Sequence, residues 1–228
     1  RNRKETGLYN DLSFNLFTGE LVCLLGANGV GKSTLLRTIS NSQPALGGSI
    51  KLDGKPISSL SKKKLSKLLG LVLTDKTASG GLKVRELVEL GRYPYTGFFG
   101  QQTNTDKIIV DKAMQDVGII HKADSYCAEL SDGERQKAMI AKVLAQECPV
   151  ILLDEPTAFL DITSRIEVTN LLHDLAIKHN KTILLSTHDI EIALLLADRL
   201  WLLSPKCGLQ CGTTEDIVVS GKMDNFFD

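Results

Sequence analysis

Apolar and polar residues follow two patterns along this chain. Five short runs are apolar almost throughout: ELVCLLG (20–26), KLLGLVL (67–73), CPVILLD (148–154), KTILLST (181–187) and RLWLLS (199–204). Continuous apolar runs of strand length, without alternation, belong to strands buried on both faces. Between them the pattern is helical, which predicts helices over 32–40, 59–67, 84–91, 105–117, 131–146, 163–179 and 189–197. Strands separated by helices predict an α/β fold whose mostly parallel sheet is covered on both faces. One region departs from this rhythm. Residues 80–147 hold helical patterns, the loop GRYPYTGFFGQQTNT and no strand run. They are expected to form a helical lobe inserted into an α/β core made of residues 1–79 and 148–228.

Composition changes this picture little but excludes some functions. The 228 residues suffice for one large domain or two lobes. They are 43% hydrophobic and 24% charged, ordinary for a globular protein. Lys+Arg and Asp+Glu both number 27, so net charge is zero and nothing points to a nucleic-acid binder driven by charge. No apolar run approaches the ~20 residues that span a bilayer. Cys23, Cys127, Cys148, Cys207 and Cys211 are too few and too scattered for a disulfide framework. Cys23 and Cys148 adjoin apolar strands and read as core thiols, and a reducing cytosol is the expected compartment. Cys207 and Cys211 have the spacing of half a metal site, but no second pair of ligands stands beside them. The chain opens on Arg1 rather than Met and closes on VSGKMDNFFD, and both ends are expected to be cut short.

Candidate chemistry gathers at the ends of the apolar runs. GANGVGKST (26–34) fits G-x-x-x-x-G-K-[ST], after a strand run and before a helical one. Gly26, Ala27, Asn28, Gly29, Val30 and Gly31 would turn backbone N–H groups toward phosphates, and the following helix N-terminus favours negative charge. Lys32 would reach the β- and γ-phosphates of ATP, Ser33 would place its hydroxyl on Mg²⁺, and Thr34 closes the motif. VILLDEPT (150–157) ends a strand in Asp154, suited to support Mg²⁺, and Glu155, suited to orient or deprotonate an attacking water. LLSTHD (184–189) brings His188 to the same kind of strand end, where it could hydrogen-bond the γ-phosphate. His121, His173 and His179 read as surface residues. LSDGERQ (130–136) has the Ser131/Glu134 spacing of a capping box, but a capping box does not require Gly133.

These motifs, in this order, resemble the nucleotide-binding subunit of ATP-binding-cassette (ABC) transporters, over nearly the whole chain. GANGVGKST looks like the Walker A motif, VILLDE like Walker B, and His188 like the switch histidine. Ala158, Phe159, Leu160 and Asp161 look like the D-loop. Leu130, Ser131, Asp132, Gly133 and Glu134 look like the signature, whose usual form is LSGGQ. The resemblance implies a P-loop NTPase core with a mostly parallel sheet, an N-terminal antiparallel β portion and an inserted helical lobe. It implies an ATPase using ATP and Mg²⁺, with two copies pairing head to tail so that each signature contacts ATP held by the other. Gly133 is then expected to leave room for that γ-phosphate.

Three positions depart from the family pattern. Asp132 stands where the first signature glycine is usual, and its carboxylate is expected to point away from the phosphate or to serve the helix's first turn. Asp75 stands where the family's Q-loop has Gln; aspartate could still serve Mg²⁺, through water. Tyr9 is the nearest candidate for the adenine-stacking aromatic, but LYNDLSFNL looks like the strand after that position. Tyr9 therefore reads as a core residue, with the stacking aromatic expected before Arg1.

VRELVELGRYPYTG (84–97) and VLAQECPVILLDEPTAFLD resemble the branch that imports iron-siderophore, haem or cobalamin. That branch implies a bacterial or archaeal protein on the cytoplasmic face of the inner membrane. Its partners would be a permease gripped by grooves around 75–100, indirectly a periplasmic or lipoprotein substrate-binding protein, and no nucleic acid. Two other readings are open. A non-transport ABC ATPase of translation or DNA repair usually carries paired cassettes or a long coiled-coil insertion. An ATP-binding regulator without hydrolysis would fit the altered Asp132 and Asp75, but not intact Lys32, Asp154, Glu155 and His188.

Overall fold

A computed structural model describes residues 8–9, 11–73, 81–97, 100–223 and 226. The first elements are β1 (Leu21–Leu25), α1 (Lys32–Ile39), β2 (Lys51–Leu52), β3 (Lys55–Pro56), α2 (Lys62–Ser66) and β4 (Leu69–Val72). A helical stretch follows: α3 (Val84–Glu89), α4 (Asn104–Asp116) and α5 (Asp132–Ala145), with short 3₁₀ turns such as Leu90–Arg92 between them. The chain then alternates again through β5 (Val150–Asp154), α6 (Ile162–Lys178), β6 (Thr182–Thr187), α7 (Ile190–Leu196), β7 (Arg199–Ser204), β8 (Gly208–Thr213) and α8 (Thr214–Val219).

Among the described residues, six strands form one sheet in the order β4-β5-β6-β1-β7-β8. All neighbours are parallel except β7 and β8. Every residue of β1, β5 and β6 is buried, which is why their sequences do not alternate. Successive side chains nevertheless point to opposite faces. Leu21, Cys23, Leu25, Ile151 and Leu153 feed one core, while Val22, Leu24, Leu152, Leu184 and Trp201 feed the other. Among the described residues, the helical stretch has no separate core. Val84, Leu87, Met114 and Ile140 belong to the same cluster as Ile151, Leu153 and Leu185.

Five sequence-predicted strands and seven helices all form, with ends shifted by a few residues at most. The antiparallel β portion of the N-terminal half is a two-residue-per-strand hairpin, β2–β3, turned at Asp53 and Gly54 with φ of 48° and 75°. The stretch LYNDLSFNL (8–16), read as a strand, carries none among its described residues. Side chains hold that segment instead. The Phe14 ring lies 4.6 Å from that of Trp201, and the Thr182 hydroxyl donates to the Phe17 carbonyl at 3.2 Å. Cys23 and Cys148 are core thiols, and burial pushes them up to about 12 and about 11. Among the described residues, no helix is long and apolar enough to cross a membrane.

Candidate active site

The parallel register brings the C-terminal ends of β1, β5 and β6 side by side, with Asp154 opposite Ser186 and Leu25 opposite Thr187. In an open α/β sheet this is the edge where ligands bind. The loop Gly26–Gly31 leaves β1 there and turns into α1. Gly31 has φ of 106°, which an L side chain rarely adopts, and no side chain caps the helix it starts. Nor does the first turn of α1 hold an acidic residue. Its backbone N–H groups thus lack the side-chain acceptors that Ser131, Asp161 and Asp189 supply to α5, α6 and α7. Ala27, Asn28 and Gly29 are exposed at the crest of the loop, while Ser33 and Thr34 are half-buried in the first turn. The Tyr9 hydroxyl donates to the Val30 carbonyl at 2.7 Å, so this partly buried residue braces the loop as well as packing on the core.

Lys32 is only 4% exposed. Its ammonium donates to the Gly26 carbonyl at 2.8 Å and lies 3.2 Å from Glu155 Oε1. The other Glu155 oxygen is 3.5 Å from His188 Nδ1, and that imidazole is 58% exposed. Asp154, 5% exposed, is fixed by Ser186. The Ser186 hydroxyl donates to Asp154 Oδ1 at 2.8 Å, and Ser186 Oγ accepts the Glu155 N–H at 2.9 Å. Glu155 itself sits at φ of 44°, a strained setting for a residue with a side chain. The sheet thus brings Lys32, Asp154, Glu155 and His188 together, as the sequence predicts. Ser186 escaped the sequence reading, although a serine inside an apolar strand is the signal of a buried hydrogen bond. Asp75 lies outside the described residues.

The loop after Glu155 carries Ala158, Phe159, Leu160 and Asp161. Leu160 is buried, while Phe159 is exposed with φ of 65°. Asp161 caps α6 by accepting the Ser164 N–H at 2.8 Å, and this bond holds its carboxyl below the usual range.

The signature stretch forms the start of α5. Ser131 and Glu134 form the expected capping box: Ser131 accepts the Glu134 N–H at 3.2 Å, and Glu134 accepts the Ser131 N–H at 2.9 Å. That backbone bond is the main reason the Glu134 carboxyl is held low, with Lys122 adding to it. Asp132 is exposed and pairs with Arg135 at 2.9 Å, within its own first turn. Leu130 is buried. Gly133 has a reason inside the chain: a Cβ there would come within 2.8 Å of Ser164 Oγ on α6. The glycine therefore lets α5 and α6 approach, whatever else it leaves room for.

Comparison with known proteins agrees with this geometry. Residues 9–158 match the family profile described as ABC transporter. The ferric enterobactin transport ATP-binding protein FepC of Escherichia coli is 37% identical over 217 residues, 95% of this chain and 80% of that protein. The cobalamin import ATP-binding protein BtuD of Halobacterium salinarum is 37% identical over 195 residues, 86% of this chain and 48% of that protein. Among solved structures, a dimeric post-hydrolysis state of an ATP-binding cassette bound to ADP and Pi superposes with a TM-score of 0.78. It is 26% identical, over 91% of this chain and 90% of that one. The chain therefore belongs to the ABC transporter family, as an ATP-hydrolysing cassette.

Proposed function

We propose that this cassette powers import of an iron-siderophore, haem or cobalamin through a membrane permease, closing head to tail on a second copy around ATP and hydrolysing it. The carrying observation is the junction at Glu155, whose two oxygens face Lys32 and His188 while Ser186 fixes Asp154 beside it. In this reading the N–H groups of Gly26–Gly31 and the start of α1 hold the phosphates, and Lys32 swings to the β- and γ-phosphates. Ser33 and Asp154 supply hard oxygen donors, the set that suits Mg²⁺. When bound, Mg²⁺ supplies neutralising charge on the phosphates. Glu155 takes the proton of the attacking water as its oxygen bonds to the γ-phosphorus and the bond to the β–γ bridging oxygen breaks. His188 hydrogen-bonds the γ-phosphate. The second copy adds Ser131 and the Gly133 N–H from the N-terminus of its α5. Asp75 remains a proposed ligand of Mg²⁺.

The permease would dock in a groove of about 330 Å³ lined by Leu82, Glu86, Glu89, Leu90, Tyr93 and Thr96. Leu90 and Tyr93 are exposed apolar residues there, a surface that suits a short helix. The enterobactin and cobalamin relatives support the substrate class. The cassette would sit on the cytoplasmic face of the membrane, with a substrate-binding protein acting across it and no role for nucleic acid. Glu155→Gln tests the reading. Phosphate release should fall about 10²–10⁴-fold, the usual share of a general base. The variant should accumulate as an ATP-bound dimer by sedimentation. Undiminished hydrolysis would remove Glu155 from the role.

A further inference from the structure

The turn Leu90–Arg92 has two faces. Leu90 and, just after the turn, Tyr93 line the groove. Gly91 and Arg92 face inward, onto the C-terminal end of α5. A Cβ on Gly91 would lie 2.1 Å from the Lys142 carbonyl, so no side chain separates the turn from that helix.

Arg92 fastens the contact. The residue is 4% exposed, and two nitrogens of its guanidinium reach partners on two different helices or just beyond them. Nε donates to Asp106 Oδ1 of α4 at 2.8 Å. Nη1 donates to the Ala145 carbonyl, the last residue of α5, at 2.7 Å, and to Glu147 Oε2 at 2.6 Å. The Tyr95 ring stacks 4.0 Å from the guanidinium carbon, and its hydroxyl donates to the Gln146 carbonyl at 3.0 Å. The Gln146 side chain in turn donates to the Leu69 carbonyl at 3.1 Å, where β4 begins. Arg92 and Tyr95 thus satisfy two carbonyls that a helix C-terminus leaves open, and the Gln146 side chain ties that end to the sheet edge.

The opposite end of α5 is the signature. The helix has 14 residues, about 21 Å at 1.5 Å per residue. A rigid rod held at its C-terminus has its N-terminus aimed by that hold. We propose that Arg92 is a positioning residue for the signature helix, holding the C-terminal end of α5 so that Ser131 and Gly133 at the other end are aimed correctly. The inference rests on the functional reading above, in which those residues meet ATP held by a second copy.

The test uses the full chain and needs no permease. In a Glu155→Gln background, ATP-driven association is followed by sedimentation, and nucleotide binding by a fluorescent ATP analogue. Arg92→Lys keeps the charge but loses the planar fork. Association should weaken at least tenfold, while nucleotide binding stays within about twofold and the melting temperature stays above the assay range. If that variant loses its fold, Glu147→Gln at the exposed rim of the cluster carries the test, with about a threefold loss expected. Full association in folded Arg92→Lys, or in Glu147→Gln where that variant serves, overturns the inference. Failure of the Glu155→Gln parent to associate with ATP overturns the functional reading itself, and the inference with it.

Discussion

Two clusters in this molecule each set a basic side chain against carboxylates, and they are closed to different degrees. Arg92 and Lys32 are equally buried, at 4% exposure. Around Arg92 the partners are themselves tied down. Asp106 also accepts the Thr103 N–H at 2.8 Å and its hydroxyl at 2.7 Å, and Tyr95 is anchored on Gln146. Around Lys32 the partner is Glu155, held at a strained φ, with its second oxygen turned to an exposed imidazole. The first arrangement joins three elements and leaves little freedom. The second has its charges at a strand end, where they can exchange partners. Closure, more than charge content, separates an architectural ion cluster from a chemical one.

The sharpest way to break this comparison is to delete each base in turn. Arg92→Ala leaves Asp106 buried without its cationic partner, a loss of about 3–5 kcal/mol by precedent for buried pairs. The melting temperature should drop by roughly 10 °C, at about 2–4 °C per kcal/mol for a chain of this size. Lys32→Ala should do the converse. Hydrolysis should fall about 10²–10³-fold, typical of one lost charge-stabilising donor, with a small change in melting temperature. Calorimetry and phosphate release on both variants check the crossing. Equal thermal losses would mean that Lys32 is as architectural as Arg92.

A smaller effect comes from acid. The bonds from the Thr103 hydroxyl and N–H, then Arg92, hold the Asp106 carboxyl at about 2, below its ordinary 3.8. A folded value below the unfolded one contributes stability above about pH 4, and that contribution is lost as pH falls toward 2. Wild-type melting temperature should therefore fall more steeply between pH 4 and pH 2 than that of Asp106→Asn, which starts lower and stays flatter. Parallel curves would mean that Asp106 does not titrate with the fold.

Much of this was legible in the sequence, for a definite reason. Buried parallel strands and a phosphate loop are local patterns, so the main sheet strands β1, β4–β7 and the residues Lys32, Asp154, Glu155 and His188 could be placed from short windows. What escaped depends on distant partners. β8 reads GLQCGT and becomes a strand only by pairing with β7. Arg92 finds acceptors 14, 53 and 55 residues away. GRYPY looked like a marker of an importer branch, and the structure makes its arginine a buried fastener. Gly133 looked like an opening for a phosphate, and Ser164 gives it a second reason. The β2–β3 hairpin, by contrast, had a local signal in Asp53-Gly54, the dipeptide that favours two-residue turns.

The finest contrast lies within the signature. Asp132 stands where the family usually has glycine, at the end of α5 that the proposed sandwich turns toward ATP. Its carboxylate is engaged by Arg135 rather than free, and Arg135 also donates to the Leu130 carbonyl at 3.1 Å. That pairing moderates the repulsion expected between aspartate and a γ-phosphate. An exposed ion pair contributes about 0–1 kcal/mol, and an acid in a first helical turn about 0.3–1. Asp132→Gly removes both and adds the helix cost of glycine, about 1 kcal/mol. It should therefore melt a few degrees lower. Its ATP-driven association, measured by sedimentation in the Glu155→Gln background, should be unchanged or stronger, because a negative charge leaves the neighbourhood of the phosphate. The two shifts have opposite signs, so they can be told apart in one variant. A large loss of association would mean that the Asp132–Arg135 pair holds the signature in its working geometry, and would move Asp132 from the tolerated departures to the closed, architectural kind of cluster that Arg92 exemplifies.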